Sequence, residues 1–278
     1  MIAAGDHTSL PTKAYAGYHA PMVKKDVATP SSALTREVGA FLEALDNTAP
    51  NAVTMCALWR AHEVVAHLAA GALEIALHLE AQGEGRPIPS TRSFEEREAP
   101  FVAMEDSNLR LELQRNIGRV IKSLDTVLGV DAEAAVPWTG RQMAVSSFVT
   151  HLRSEFALHR FDLVGDDAVS LQLLSQPEFT HHAVTVLGRA LLTRGATAGP
   201  RTFQAILDAP RSKQILVLVD HDGARLEWSK TLSDPDVRGD LASRLLLLWG
   251  RMPGDPRRLE SSGGVAELGS IRSVLAGY

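Results

Sequence analysis

Cysteine is almost absent from this chain of 278 residues: Cys56 stands alone. One thiol cannot close an internal disulfide or build a Cys-rich zinc site, and it fits a reducing compartment. Basic residues are not in excess. The net charge is −5, and the Lys24-Lys25 and Arg257-Arg258 pairs form no dense cationic face, so a nucleic-acid partner is not expected. Long apolar runs are missing too. The longest, 215–219 and 245–249, fall far short of the roughly 20 residues that cross a bilayer, and no membrane partner is expected. The first 20 residues hold Gly5, Asp6, His7 and Pro11 where a secretory leader needs an apolar core, which predicts a cytoplasmic chain. What remains, 45% hydrophobic and 22% charged residues, excludes collagen and disorder and describes a globular chain of one large or two small domains.

The pattern along the chain divides in two. Residues 1–30 are rich in Ala, Gly, Pro and Thr without periodicity and read as a flexible arm. Helical periodicity then predicts helices over about 31–46, 59–82, 101–128 and 140–164, with a polar, Pro-containing loop over about 83–100. Four long helices over 31–168 suggest a four-helix bundle. From 169 to 278 the character is mixed. A helix over about 176–194 precedes three strand-like segments, 202–208, 214–220 and 225–229, the last two joined by the turn Asp220-His221-Asp222-Gly223. Helices over about 235–250 and 264–276 close the chain. The expected fold class is therefore α+β, a helical bundle followed by a small α/β domain.

The fourth helix carries the chemistry. At about 100° per residue, Phe148, Leu152, Phe156 and Leu163 form a stripe, and Glu155 and His159, one turn apart, lie within it. A buried carboxylate is costly unless it is paired or bound to a metal. An ExxxH pair facing a bundle core supplies two ligands of a divalent ion. His67, on the edge of the second helix's stripe beside Gly71, is the candidate third ligand, and a His/Glu/His set leaves a coordination position open for catalysis. The competing reading is a core salt bridge between Glu155 and Arg153 or an adjacent basic residue. Two nearby patterns rank lower. His62 and His67 resemble a zincin pair but are five positions apart, about 140° round the helix. Glu74 and His78 form an exposed i,i+4 pair or a competing site near the polar flank.

Three segments carry a family resemblance. Cys56-Ala57-Leu58-Trp59-Arg60-Ala61-His62-Glu63-Val64-Val65-Ala66-His67-Leu68-Ala69, then Arg153-Ser154-Glu155-Phe156-Ala157-Leu158-His159-Arg160-Phe161-Asp162-Leu163, then Leu248-Trp249-Gly250-Arg251-Met252-Pro253 occur in order over about 200 residues. Together they resemble the mycothiol-dependent maleylpyruvate isomerase family. The chain departs from the family pattern at Ala57-Leu58, where Pro-Gly is usual, at His62-Glu63, where Arg-Asp is common, and at Leu152, where Arg is usual. The resemblance implies a DinB-like four-helix bundle followed by a small α/β domain. It implies a divalent metal, zinc first among candidates, held by His67, Glu155 and His159, and mycothiol as thiol cosubstrate. The thiolate would attack a small electrophilic substrate, giving a cis–trans isomerase or a thiol S-transferase. Arg251 would anchor a substrate carboxylate, and Asp162 would orient His159. Cys56 reads as a packing residue. The alternative from a different class is a noncatalytic bundle protein that binds metal or a ligand for regulation.

Overall fold

The structure, a computed structural model, describes residues 30–56, 59–188, 202–221 and 223–275. The arm expected over 1–30 lies outside the described residues apart from Pro30, which opens the first helix.

Helix α1 (Pro30–Asp46) buries Leu34, Val38, Phe41 and Leu45, the stripe its sequence spacing lays on one face. Helix α2 (Ala61–Gly83) is alanine-rich and buried on nearly every side. It is long and apolar enough to cross a membrane, but 78% of its apolar window is buried inside the protein, so it is the central core helix. Helix α4 (Asp106–Val130) packs along α2, and helix α5 (Ser147–Val164) packs along α1. Phe41 meets Phe156 edge-on at 5.5 Å between those last two.

The structure differs from the sequence expectation at two places in this half. The polar loop contains a helix, α3 (Phe94–Val102). A capping box starts it: the Ser93 hydroxyl accepts from the Glu96 N–H at 3.2 Å, and the Glu96 carboxylate accepts from the Ser93 N–H at 2.9 Å. Pro100 cannot donate to the turn behind it, and the chain breaks after Val102 before α4 restarts at Asp106. The expected helix over 101–128 is thus two helices. The expected start of the fourth helix at 140 is instead a hairpin, β1 (Ala135–Trp138) with β2 (Arg141–Ala144). Thr139 and Gly140 both have positive φ, 49° and 80°, as a two-residue type I′ turn needs. Val136, Trp138 and Met143 point inward.

The second half holds a five-stranded sheet in the order β5-β4-β3-β6-β7. Its strands are β3 (Phe203–Asp208), β4 (Ile215–Asp220), β5 (Gly223–Trp228), β6 (Val237–Gly239) and β7 (Leu259–Ser261). Only the β3–β6 pair is parallel. Helix α6 (Ala168–Leu174) and helix α7 (Pro177–His182) precede the sheet, and α7 runs on into a π-turn, Ala183–Leu187. The rest of the helix expected over 176–194 lies outside the described residues after Gly188. The helix expected over 235–250 is shorter, α8 (Leu241–Leu248), because β6 takes its first residues. Asp240 caps it by accepting from the Ser243 N–H at 2.9 Å. Helix α9 (Gly264–Leu275) closes the described chain.

Two hydrophobic cores result. The bundle core takes in α1, α2, α4, the hairpin and one face of α5, Phe148, Leu152 and Phe156 with Leu163 packed against it; the second core takes Ala157, Leu158 and Phe161 from the other face and runs through the sheet, α8 and α9. Helix α5 lies between the two cores, with one face in each.

Candidate metal centre

Helix α5 presents Glu155 and His159 one turn apart at this junction, and α2 brings His67 to face them. All three are buried, and one ligand atom from each lies within 4.8 Å of the others. His67 Nε2 is 3.3 Å from Glu155 Oε2, and His159 Nε2 is 3.7 Å from the same oxygen. The outer nitrogens are fixed by carboxylates. His67 Nδ1–H donates to Glu98 Oε1 at 2.8 Å, and His159 Nδ1–H donates to Asp162 Oδ2 at 2.8 Å. That pattern sets one tautomer in both rings and turns both Nε2 atoms inward, as carboxylate-backed metal histidines require.

The electrostatics favour a cation. Burial alone would raise the Glu155 carboxyl, but the His159, His67 and His151 imidazoles around it pull it well below the usual carboxylate range. Burial likewise opposes charge on His159, and the Asp162 and Glu155 carboxylates overcome it, so its proton affinity is raised. Burial raises Asp162 while the charge of Arg251 and the His159 hydrogen bond bring it down to about 2. Glu155 Oε1 is buried without a hydrogen-bond partner, and its neighbour His151 Nδ1 stands 4.0 Å off. A buried carboxylate oxygen left in that condition is expensive unless a cation completes it. The donor set of two imidazoles and one carboxylate fits a divalent transition ion.

Aromatic rings wall the cluster. Trp59 lies 5.0 Å from the His67 ring and 6.1 Å from the His159 ring, nearly parallel to the latter. Phe94 stands 5.8 Å from His67 and carries the Arg97 guanidinium 4.1 Å above its own face.

Arg251, from the loop after α8, is buried and fully engaged. Its Nε donates to Asp162 Oδ1 at 3.0 Å, its Nη2 to Asp162 Oδ2 at 2.8 Å, and its Nη1 to the Trp249 carbonyl at 2.9 Å. The fork that the sequence offered to a substrate carboxylate is occupied by Asp162. Nη2 also lies 3.6 Å from Cys56 Sγ. Burial pushes the Cys56 thiol up to about 11, which keeps it protonated near neutrality.

The competing patterns resolve otherwise. Arg153 pairs with Glu37 at 2.9 Å, not with Glu155. The His62 ring turns away to the α3–α4 corner, with Nε2 3.1 Å from the Val102 carbonyl. Glu74 and His78 are not an exposed pair but are both buried. Arg92 takes both Glu74 oxygens, and His78 Nδ1–H donates to the Glu74 backbone carbonyl at 2.7 Å. Sequence reasoning missed Glu98, because it fell in the supposed loop. The Ser93-x-x-Glu96 box was the signal that would have placed it on a helix. His151 and His182 were also missed; they meet at 3.4 Å behind Glu155.

The mycothiol maleylpyruvate isomerase N-terminal domain family matches residues 31–164. Over these residues the chain is similar to that family's N-terminal domain. The matched span includes His67, Glu155, His159 and Asp162 and stops short of Arg251. Among solved structures, the mycothiol-dependent maleylpyruvate isomerase superposes with a TM-score of 0.59 at 18% identity, over 85% of this chain and 94% of that one. A histidine-to-alanine mutant under the same name gives 0.58 at 16% identity over the same shares. At that identity the likeness shows the fold, and it extends the α+β, DinB-like architecture of the isomerase family beyond the bundle into the sheet. No curated protein matches the sequence.

Proposed function

We propose that this chain is a divalent-metal-dependent enzyme that uses a small thiol, mycothiol, against a small electrophilic substrate, as a cis–trans isomerase or a thiol S-transferase. One observation carries the reading. Two histidines, each backed by a carboxylate on Nδ1, direct Nε2 at a buried Glu155 whose second oxygen has no hydrogen-bond partner. The names of the structural neighbours add mycothiol and maleylpyruvate as the cosubstrate and substrate class.

In this reading His67, Glu155 and His159 hold the ion, with zinc the first candidate. A divalent ion at this site supplies Lewis acidity, which favours the thiolate form of a thiol. The protein's own groups do the rest. Glu98 and Asp162 keep the protons of both imidazoles on Nδ1. Trp59 and Phe94 shield the cluster from water. Arg251 acts as a positioning residue, holding Asp162 in line with His159 through two parallel hydrogen bonds. A cytoplasmic setting, which keeps small thiols reduced, follows from the same reading.

Elemental analysis tests the centre. The purified protein should carry about one divalent ion per chain, and His67→Ala and Glu155→Ala should lose it. Mass spectrometry with mycothiol and maleylpyruvate should show isomerised product or a thiol adduct, both lost in His159→Ala. Full metal content in both ligand variants would overturn the site. A loaded protein with no affinity for mycothiol would point instead to a regulatory metal- or ligand-binding bundle.

A further inference from the structure

A second feature, which shares no residue with the metal centre, has no part in the proposed reaction. A cavity of about 270 Å³ is lined by Arg141 from the hairpin, by Val184, Thr185 and Gly188 at the end of the π-turn, and by Arg225, Leu226 and Glu227 of β5. Its volume approaches that of small-ligand pockets. π-turns recur at functional positions, and here one forms a wall.

The two arginines differ in their partners. Arg225 is satisfied within the sheet: its Nε donates to Glu227 Oε1 at 2.9 Å and its Nη1 to Asp220 Oδ2 at 2.5 Å. Arg141 is not. Its Nε and Nη2 are hidden from solvent and have no hydrogen-bond partner. Burial lowers its proton affinity, and no carboxylate acts to restore it. The hairpin register explains the placement. Arg141 is the cross-strand partner of the buried Trp138, so both side chains leave the same face of the ribbon toward the protein interior. The one acid in the lining, Glu227, is held by Arg225. Two hidden guanidinium nitrogens without an acceptor cost stability, and a cavity beside this half-buried side chain has room for one.

We propose that this cavity is a binding site for a compact oxyanion, a carboxylate or a phosphoryl group, with Arg141 as its anchor. The site is separate from the His67–Glu155–His159 cluster, so its occupancy does not require the metal.

Thermal unfolding of the full chain tests this, with inorganic phosphate or succinate titrated against sodium chloride at constant ionic strength. The midpoint should rise and saturate with at least one of the two anions. Saturation by phosphate at the lower concentration assigns a phosphoryl ligand; saturation by succinate assigns a carboxylate. Arg141→Met should weaken the apparent affinity at least tenfold with metal content unchanged. Thr185→Glu, which places a competing carboxylate in the lining, should weaken it similarly and decides the matter if Arg141→Met does not fold. The proposal fails if neither anion saturates, or if the variants respond like the wild type. Loss of metal in the ligand variants leaves this result untouched, so failure of the site is distinguishable from failure of the proposed reaction.

Discussion

Replacing Asp162 by Asn keeps the shape of the side chain and removes its charge. In the wild type, Oδ2 accepts from His159 Nδ1–H and from Arg251 Nη2, and Oδ1 accepts from Arg251 Nε, all between 2.8 and 3.0 Å. Asparagine has one oxygen for these three donors. If the oxygen serves Arg251, its amide N–H₂ faces His159 and favours the tautomer with the proton on Nε2, aimed at Glu155. Two losses should follow. Metal affinity should drop about 10- to 100-fold, about 1.4–2.7 kcal/mol, the usual cost of removing the partner behind a metal histidine. The metal-free protein should lose about 3–5 kcal/mol of stability, because Arg251 is left buried without its counter-charge. The double variant Asp162→Asn with Arg251→Met separates the two. It removes the stranded charge and should recover most of the stability, while metal affinity stays low. Chelator competition measures the first quantity and urea unfolding the second. Metal affinity in Asp162→Asn within twofold of wild type would refute the orienting role. Recovery of affinity in the double variant would show that the defect came from a disordered fold.

Three further perturbations follow. Burial raises the Glu74 carboxyl but the hydrogen bonds and charge of Arg92 outweigh it, so its folded value lies below the ordinary 4.5. Its contribution is complete above that ordinary value and is lost as pH falls through the lower folded one; Glu74→Gln should flatten the loss of urea stability below about pH 4.5. Trp59→Phe should remove most of the fluorescence quenching that cobalt(II) produces, since Trp59 lies against both site imidazoles. Retained quenching would place the ion elsewhere. Gly239→Ala would put a Cβ 2.7 Å from Leu259 Cδ2 and 3.0 Å from the Arg258 carbonyl, and chemical denaturation should show a loss of about 1–3 kcal/mol.

Periodicity was enough to find α1, α2 and α5, because each buries a regular stripe whose spacing the core enforces. It was also enough to put Glu155, His159 and His67 on facing surfaces. It failed where local hydrogen bonding outweighs pattern. The Ser93–Glu96 box makes a helix of a polar segment, and with it supplies Glu98. Thr139 and Gly140 make a hairpin where apolar spacing suggested helix. The role of Arg251 was illegible for a different reason. Its partner Asp162 lies 89 positions away, and only the folding of the second half, with α8 packed on α6, brings the two together. The motifs named the residues, but a guanidinium already filled by a carboxylate looks in sequence like one waiting for a substrate.

The position of α5 between the two cores has a consequence for how the molecule holds together. Glu155 sits with His67 on the bundle side, and His159 is tied through Asp162 to Arg251 in the second half. An ion gripping both would act as a rivet through the seam. Its binding energy would be shared by both halves, so they should melt as one unit when loaded and come apart in two steps when stripped.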